Sequence, residues 1–403
     1  MHRMTPAVAA IALALGATSA FAQQPPVRIG EMSSYSALPQ GADGWKKGWQ
    51  LAVEHINAAG GVLGGRKIEF ISRDDAGQPD AATRAAQELV ANEKVDLLTG
   101  TILSHIGVAV SDFASRNKTF FLATQALTDA LIWEKGNRYT FRLRASTYTH
   151  ALMLVDEAAK LPAKRWATIA PNYEYGQSAV ASFKAALKAK RPDVEFIAEQ
   201  WPALGKLEAG ATVQALLAAK PDAIFNVTFG ADLARFVREG NLRGLFKDRS
   251  VVSLLTGEPE YLDPLKDEAP KGWLVTGYPW ATIKEPAHAK FVEAYRAKYN
   301  ETPKIGSIMG YVTVQALAGI LNKAQSTDAE KLIAATRGLT VDTAMGPITF
   351  RAADHQSTMG TWVGKLEVVD GRGTMVDWRY VDGKDFQLDD AAVKARRPAE
   401  AMQ

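Results

Sequence analysis

Between Leu51 and Asp75 the chain changes period. Leu51, Val53 and Ile56, with Ala52 and Ala59, form an apolar stripe at helical spacing, and Gln50, Glu54 and Asn57 fall on the polar side. From Lys67 onward, polar Lys67, Glu69 and Arg73 alternate with Ile68, Phe70 and Ser72. The first period predicts an amphipathic helix and the second a strand. Gly60 and Gly61 supply the helix stop, because glycine enters the left-handed region without a Cβ clash, and Gly64 and Gly65 supply the turn.

The same alternation continues for most of the chain. It predicts helix Pro79 to Glu93, strand Val95 to Thr99, helix Ser104 to Arg116, strand Thr119 to Ala123 and strand Tyr139 to Leu143. After a polar bend at Ala145 to Thr147 it restarts with helix Tyr148 to Lys160, strand Trp166 to Ala170, helix Tyr175 to Ala189 and strand Val194 to Glu199. Helix Ala211 to Ala219, strand Asp222 to Val227, helix Ala231 to Glu239 and strand Ser250 to Leu254 follow. Three helices, Ala287 to Tyr299, Ile305 to Ala324 and Ala329 to Arg337, come next, and a glycine-rich piece from Met345 to Thr374 mixes short strands with turns. Strands regularly separated by helices predict parallel sheets covered on both faces.

Composition narrows the setting. His2 and Arg3, an apolar run from Ala7 to Ala17 and the small-x-small Ala20-Phe21-Ala22 predict a signal peptide over residues 1–22, cleaved after Ala22. The remaining ~380 residues suit two domains better than one. No other segment is expected to span a membrane. The chain has no cysteine, so neither a disulfide nor a lipid-modified cysteine is expected. A formal net charge of +3 without long like-charge runs gives no argument for nucleic acid, and Lys394 to Arg397 reads as a solvated tail.

Enzyme signatures are missing: there is no GxSxG elbow, no HExxH and no GxxxxGK[ST] loop. His55, His105, His150, His288 and His355 are scattered without ligand spacing, so no metal and no cofactor is expected. A binding cleft needs polar groups converging at the C-terminal ends of parallel strands. The loops Gly100 to Ser104, Ala123 to Thr128, Asn172 to Gly176, Phe229 to Asp232 and Thr256 to Pro259 each follow a predicted strand.

The run INAAGGVLGGRKIEF, with VRIGEMSS upstream, resembles the substrate-binding proteins of branched-chain amino acid ABC transporters, and the likeness extends over nearly the whole mature chain. It implies an α/β type I periplasmic binding fold, with two doubly wound parallel-sheet lobes joined by a three-strand hinge. Residues 23–145 with 279–344 are expected to form the first lobe, 146–278 with 345–385 the second, and 386–403 a tail. The implied function is that of a periplasmic receptor, monomeric and without catalysis, which binds an amino acid or related small carboxylate and delivers it to an inner-membrane ABC permease. Receptors for aromatic or other organic acids, and a ligand-sensing subunit of a membrane receptor, are the alternatives.

The resemblance also implies site residues. Ser104, Ala126 and Thr128 would take a ligand carboxylate, Tyr175 would close over the cleft, Phe229 would form a wall, and Glu258 would pair with an ammonium. Plain structural roles stand beside these: an N-cap for Ser104, a capped turn at 126–128, a helix start at Tyr175, core for Phe229 and a solvent-facing loop for Glu258. The chain departs from the family pattern at His105, at Asn172 and in the first loop, Ser33 to Trp45. Tyr35, Leu38 and Trp45 are therefore expected to line a larger, more aromatic pocket, with His105 as a further candidate.

Overall fold

The computed structural model describes residues 24–402; the expected signal peptide lies outside them. Strand β1 (Val27–Ser33), helix α1 (Pro39–Ala58), β2 (Ile68–Asp74), α2 (Pro79–Ala91), β3 (Leu97–Gly100), α3 (Ser104–Arg116), β4 (Phe121–Ala123) and β5 (Thr140–Arg142) build the first lobe. Its five strands are all parallel in the order β2-β1-β3-β4-β5, with Val27 level with Ile68 and Leu98 level with Phe121. Helices cover both faces at the middle of the sheet, so the central strands are apolar: Leu97, Leu98, Phe121 and Leu122 are fully buried, whereas the edge strand β2 mixes polar and apolar residues.

The second lobe follows with α4 (Thr147–Ala158), β6 (Arg165–Ile169), α5 (Glu174–Lys190), β7 (Glu195–Gln200), α6 (Ala209–Ala219), β8 (Ala223–Asn226), α7 (Gly230–Leu242), β9 (Ser250–Gly257), the short α8 (Pro259–Leu262) and β10 (Leu274–Gly277). Then come α9 (Pro286–Tyr299), α10 (Ile305–Ala324), α11 (Ala329–Thr336), the hairpin β11 (Thr340–Thr343) and β12 (Gly346–Thr349), β13 (Thr361–Val369), β14 (Arg372–Val381) and α12 (Asp390–Arg396). The second sheet runs β14-β13-β10-β9-β8-β6-β7. Its five sequential strands are parallel, but β13 and β14 join antiparallel at the edge, so the expected mixture of short strands and turns holds for β12 and the residues after it and gives way to two long strands from Thr361 onward.

Helix α10 returns to the first lobe and lies on α1. The approach is close enough to demand glycine on both sides: a Cβ on Gly48 would sit 2.0 Å from the Ser307 carbonyl oxygen, and one on Gly310 2.4 Å from that of Trp45. Helix α10 is also long and apolar enough to cross a membrane, contrary to expectation, but most of it is buried inside the protein. Helix α1 starts at Pro39, so the first loop is shorter than expected and Trp45 sits within a helix, fully buried.

The chain crosses between the lobes after β5, after β10 and again before β13. The first and third crossings run side by side: Arg142 N–H donates to His355 O at 3.0 Å and Ser357 N–H to Arg142 O at 2.9 Å. The expected solvated tail is also corrected. Arg397 is buried and donates to Asn137 O and Asp354 O, both at 2.8 Å, while the Arg396 guanidinium lies 5.0 Å from the Trp133 ring centre. This segment folds back onto the first lobe, where the Arg397 guanidinium bonds several backbone carbonyls at once.

Candidate functional site

In each sheet the order reverses around one strand, β1 in the first lobe and β6 in the second, and such reversals open crevices at the strands' C-terminal ends. The two crevices face each other across a cavity of about 290 Å³. The first lobe contributes Ala37 to Gly41, Ile102 to Ser104, Gln125, Leu127 and Ile305; the second contributes Tyr173, Tyr175, Phe229 to Ala231, Leu255, Glu258, Glu260 and Tyr261. Arg144 enters from the first crossing.

Ser104 opens α3, whose N-cap is Leu103 and lacks a side-chain cap. Its hydroxyl does not cap the helix. It accepts the backbone N–H of Leu127 at 3.2 Å and of Thr128 at 3.1 Å, which leaves its own proton to be donated into the cleft. The loop is held from behind by Arg142, whose guanidinium is fully buried and donates to Leu127 O at 3.1 Å and also to Thr128 O. Burial pushes the Arg142 pKa down to about 10, and the carboxylates of Asp129 and Asp354 work against that.

On the opposite wall Tyr175, Phe229 and Tyr261 form an aromatic series, with Tyr175 and Phe229 edge-to-face at 5.7 Å and Phe229 6.3 Å from Tyr261. The Tyr175 hydroxyl is buried without a hydrogen-bond partner among the described residues, and burial holds its pKa well above the usual phenol range. An unpaired buried hydroxyl costs about 1–3 kcal/mol, which a polar ligand atom would recover.

Strand β9 ends irregularly. Leu255 has φ 62°, a left-handed conformation that is strained for a branched side chain, and the pairing with β10 shifts register between Val275 and Gly277. The irregularity turns Glu258 into the cleft, where it ion-pairs with Arg144; their side chains are 2% and 8% exposed. The expected solvent-facing alternative for Glu258 is thereby excluded. Burial raises the Glu258 pKa, Arg144 opposes the rise and Glu260 adds to it.

The structure thus brings Leu38, Ser104, Tyr175, Phe229 and Glu258 to one cavity and leaves the other five predicted residues behind its walls. Ala126 is fully buried against α3, where a Cβ on Gly107 would come within 2.4 Å of the Ala126 Cβ. The N–H of Thr128 is occupied by Ser104. The His105 ring packs edge-on against Tyr173 at 5.3 Å. Tyr35 donates its hydroxyl to Glu31 at 2.8 Å, and Trp45 donates to the same carboxylate at 2.7 Å, so these two aromatics serve a buried acid rather than a ligand. Of the three first-loop candidates only Leu38 lines the cavity.

Sequence reasoning missed Arg144, Tyr173, Glu260 and Tyr261. For Arg144 there was a signal, since Arg142 and Arg144 alternate at the end of a predicted strand, where charged residues need a reason.

Residues 26–373 match the model of a family described as periplasmic binding protein. The Leu/Ile/Val-binding protein homolog 7 of Brucella suis biovar 1 (strain 1330) is 27% identical over 367 residues, covering 86% of this chain and 89% of its own. Among solved structures, a solute-binding protein of an ABC transporter from Rhodopseudomonas palustris BisB5, in complex with 3,4-dihydroxybenzoic acid, superposes with a TM-score of 0.79 at 24% identity, covering 89% of this chain and 98% of its own. An ABC-type branched-chain amino acid transporter protein from Rhodopseudomonas palustris CGA009 gives 0.74 at 25% identity, covering 90% and 98%. Two lobes, facing crevices and a match over most of the chain agree: the chain belongs to the periplasmic binding protein family.

Proposed function

We propose that this protein is the periplasmic receptor of an ABC importer, closing its two lobes over one small carboxylate with a flat, apolar body. The observation that carries this reading is the interlobe cavity itself. It is closed on one side by the Ser104 hydroxyl and on the other by Tyr173, Tyr175, Phe229 and Tyr261. A hydroxyl with its proton free suits a carboxylate oxygen, and aromatic walls suit a ring. The 3,4-dihydroxybenzoic acid bound by one structural relative is of this chemistry. The protein works as a monomer, catalyses no reaction, uses no cofactor, and passes its solute to an inner-membrane permease.

The second reading, an amino acid whose ammonium meets Glu258, is favoured by the position of Glu258 in the cavity lining. It is weakened by the Arg144 guanidinium already paired with that carboxylate.

A thermal-shift panel of branched and aromatic amino acids, dicarboxylates and benzoate-type acids tests the proposal. Free ligand at a thousandfold its Kd stabilises the folded protein by about 4 kcal/mol, a readily measured rise in Tm. A panel without any stabilising acid would remove the receptor reading.

A further inference from the structure

Arg144 has a position unlike that of any other group in the cleft. It leaves the end of β5 on the first crossing, so it belongs to the hinge rather than to either lobe. Its carbonyl oxygen accepts the Gln356 side-chain amide at 3.0 Å, and Gln356 also accepts from Arg142 at 2.6 Å, so two crossings are tied together directly beneath it. The side chain is therefore aimed at the cavity from a fixed base. Its guanidinium makes one hydrogen bond among the described residues, to Glu258. A guanidinium carries five N–H donors in a rigid fork, so donors remain at the cavity wall.

The carboxylates of the site are in the opposite condition. Glu258 holds Arg144. Glu260 accepts the backbone N–H of Ile305 at 3.1 Å and of Gly306 at 2.9 Å, which occupies both its oxygens. An entering ammonium would compete with a fixed guanidinium for Glu258 and would suffer like-charge repulsion in a poorly solvated space. An entering carboxylate meets repulsion from Glu258, but it finds spare Arg144 donors aimed at it, whereas an ammonium finds both carboxylates already occupied.

Building on the receptor function proposed above, we propose that Arg144 reads the ligand's acid group, with Glu258 as its built-in counter-ion. The pair would then select small organic anions that carry no ammonium group.

Titration calorimetry of the mature protein with benzoate, phenylacetate, L-phenylalanine and L-leucine tests this. The wild type is expected to bind the best of the two acids at least about tenfold more tightly than either amino acid. Glu258→Gln is expected to keep acid binding within about tenfold, because Arg144 remains. The double variant Arg144→Gln/Glu258→Gln removes both charges and leaves no uncompensated ion, and is expected to lose acid binding by about 100-fold or more with its circular-dichroism melt preserved. Arg144→Lys is a second probe: the charge survives and the fork does not, so acid affinity falls by about tenfold.

Full acid affinity in the double variant would overturn the proposal. So would a wild type that prefers L-leucine or L-phenylalanine and loses it on Glu258→Gln, although the receptor function would then stand. A wild type that binds none of the four probes, and nothing in the wider thermal-shift panel, would overturn the receptor function itself.

Discussion

The Glu260 carboxylate, in the second lobe, accepts the N–H of Gly306 in the first lobe at 2.9 Å, and that of Ile305 beside it at 3.1 Å. A carboxylate at the start of a 20-residue helix meets unpaired N–H groups and the positive end of the helix dipole. The bond exists only while the lobes are together, so the closed form has a latch made of protein alone. Glu260→Ala is expected to open the ligand-free molecule, raising its radius of gyration in solution scattering, and to weaken ligand binding by about tenfold or more. Scattering curves identical for wild type and variant would rule the latch out.

Glu31 gives a pH prediction. It is fully buried on β1, accepts from Ser72 at 2.5 Å as well as from Tyr35 and Trp45, and burial pushes its pKa up to about 7. The folded state then holds this proton more tightly than the unfolded chain does. Stability is full below pH of about 4.5 and falls as pH rises through 7, by about 3 kcal/mol from this group. In Glu31→Gln the fall should be flatter over the same window in denaturant titrations; a variant with the wild-type slope would assign the dependence to other groups.

Ser104→Ala separates binding from folding. It removes the acceptor for the Leu127 and Thr128 N–H groups and the donor facing the cavity. The expected result is a 10- to 100-fold weaker ligand, with stability lowered by about 1–3 kcal/mol. Affinity left intact would place the carboxylate elsewhere in the cleft.

At the crossing of α1 and α10, two effects oppose each other in Gly310→Ala. Alanine favours a helix by about 1 kcal/mol over glycine, whereas a Cβ 2.4 Å from the Trp45 oxygen must push the helices apart, at a cost of about 1–3 kcal/mol or more. The clash is expected to win, giving a lower urea midpoint without direct loss of a ligand contact.

Local period made most elements legible. Helices Ser104 to Arg116 and Ile305 to Ala324 have the bounds the sequence predicts, because apolar spacing and end residues sit within the segment itself. Helix α1 was cut short for an instructive reason: Gly41 and Gly44 fell in the segment read as a loop, Ser33 to Trp45, yet Gly44, like Gly48 one turn on, is there so that α10 can come near. Arg144 and Glu258 are 114 residues apart, and nothing local to either announces the other. Family likeness named four residues that line the cavity, and it carried no sign of the ion pair that Glu258 makes with Arg144.

The return of the last helix to the first lobe has a mechanical consequence. β14 leaves the edge of the second sheet, and the chain then runs to Arg397, anchored at Asn137 and Asp354. Beside the three crossings it acts as a fourth cord, offset toward Trp133. Each added connection removes ways for one lobe to turn against the other, so a tail anchored at Arg397 leaves the lobes less freedom to twist than three crossings alone would.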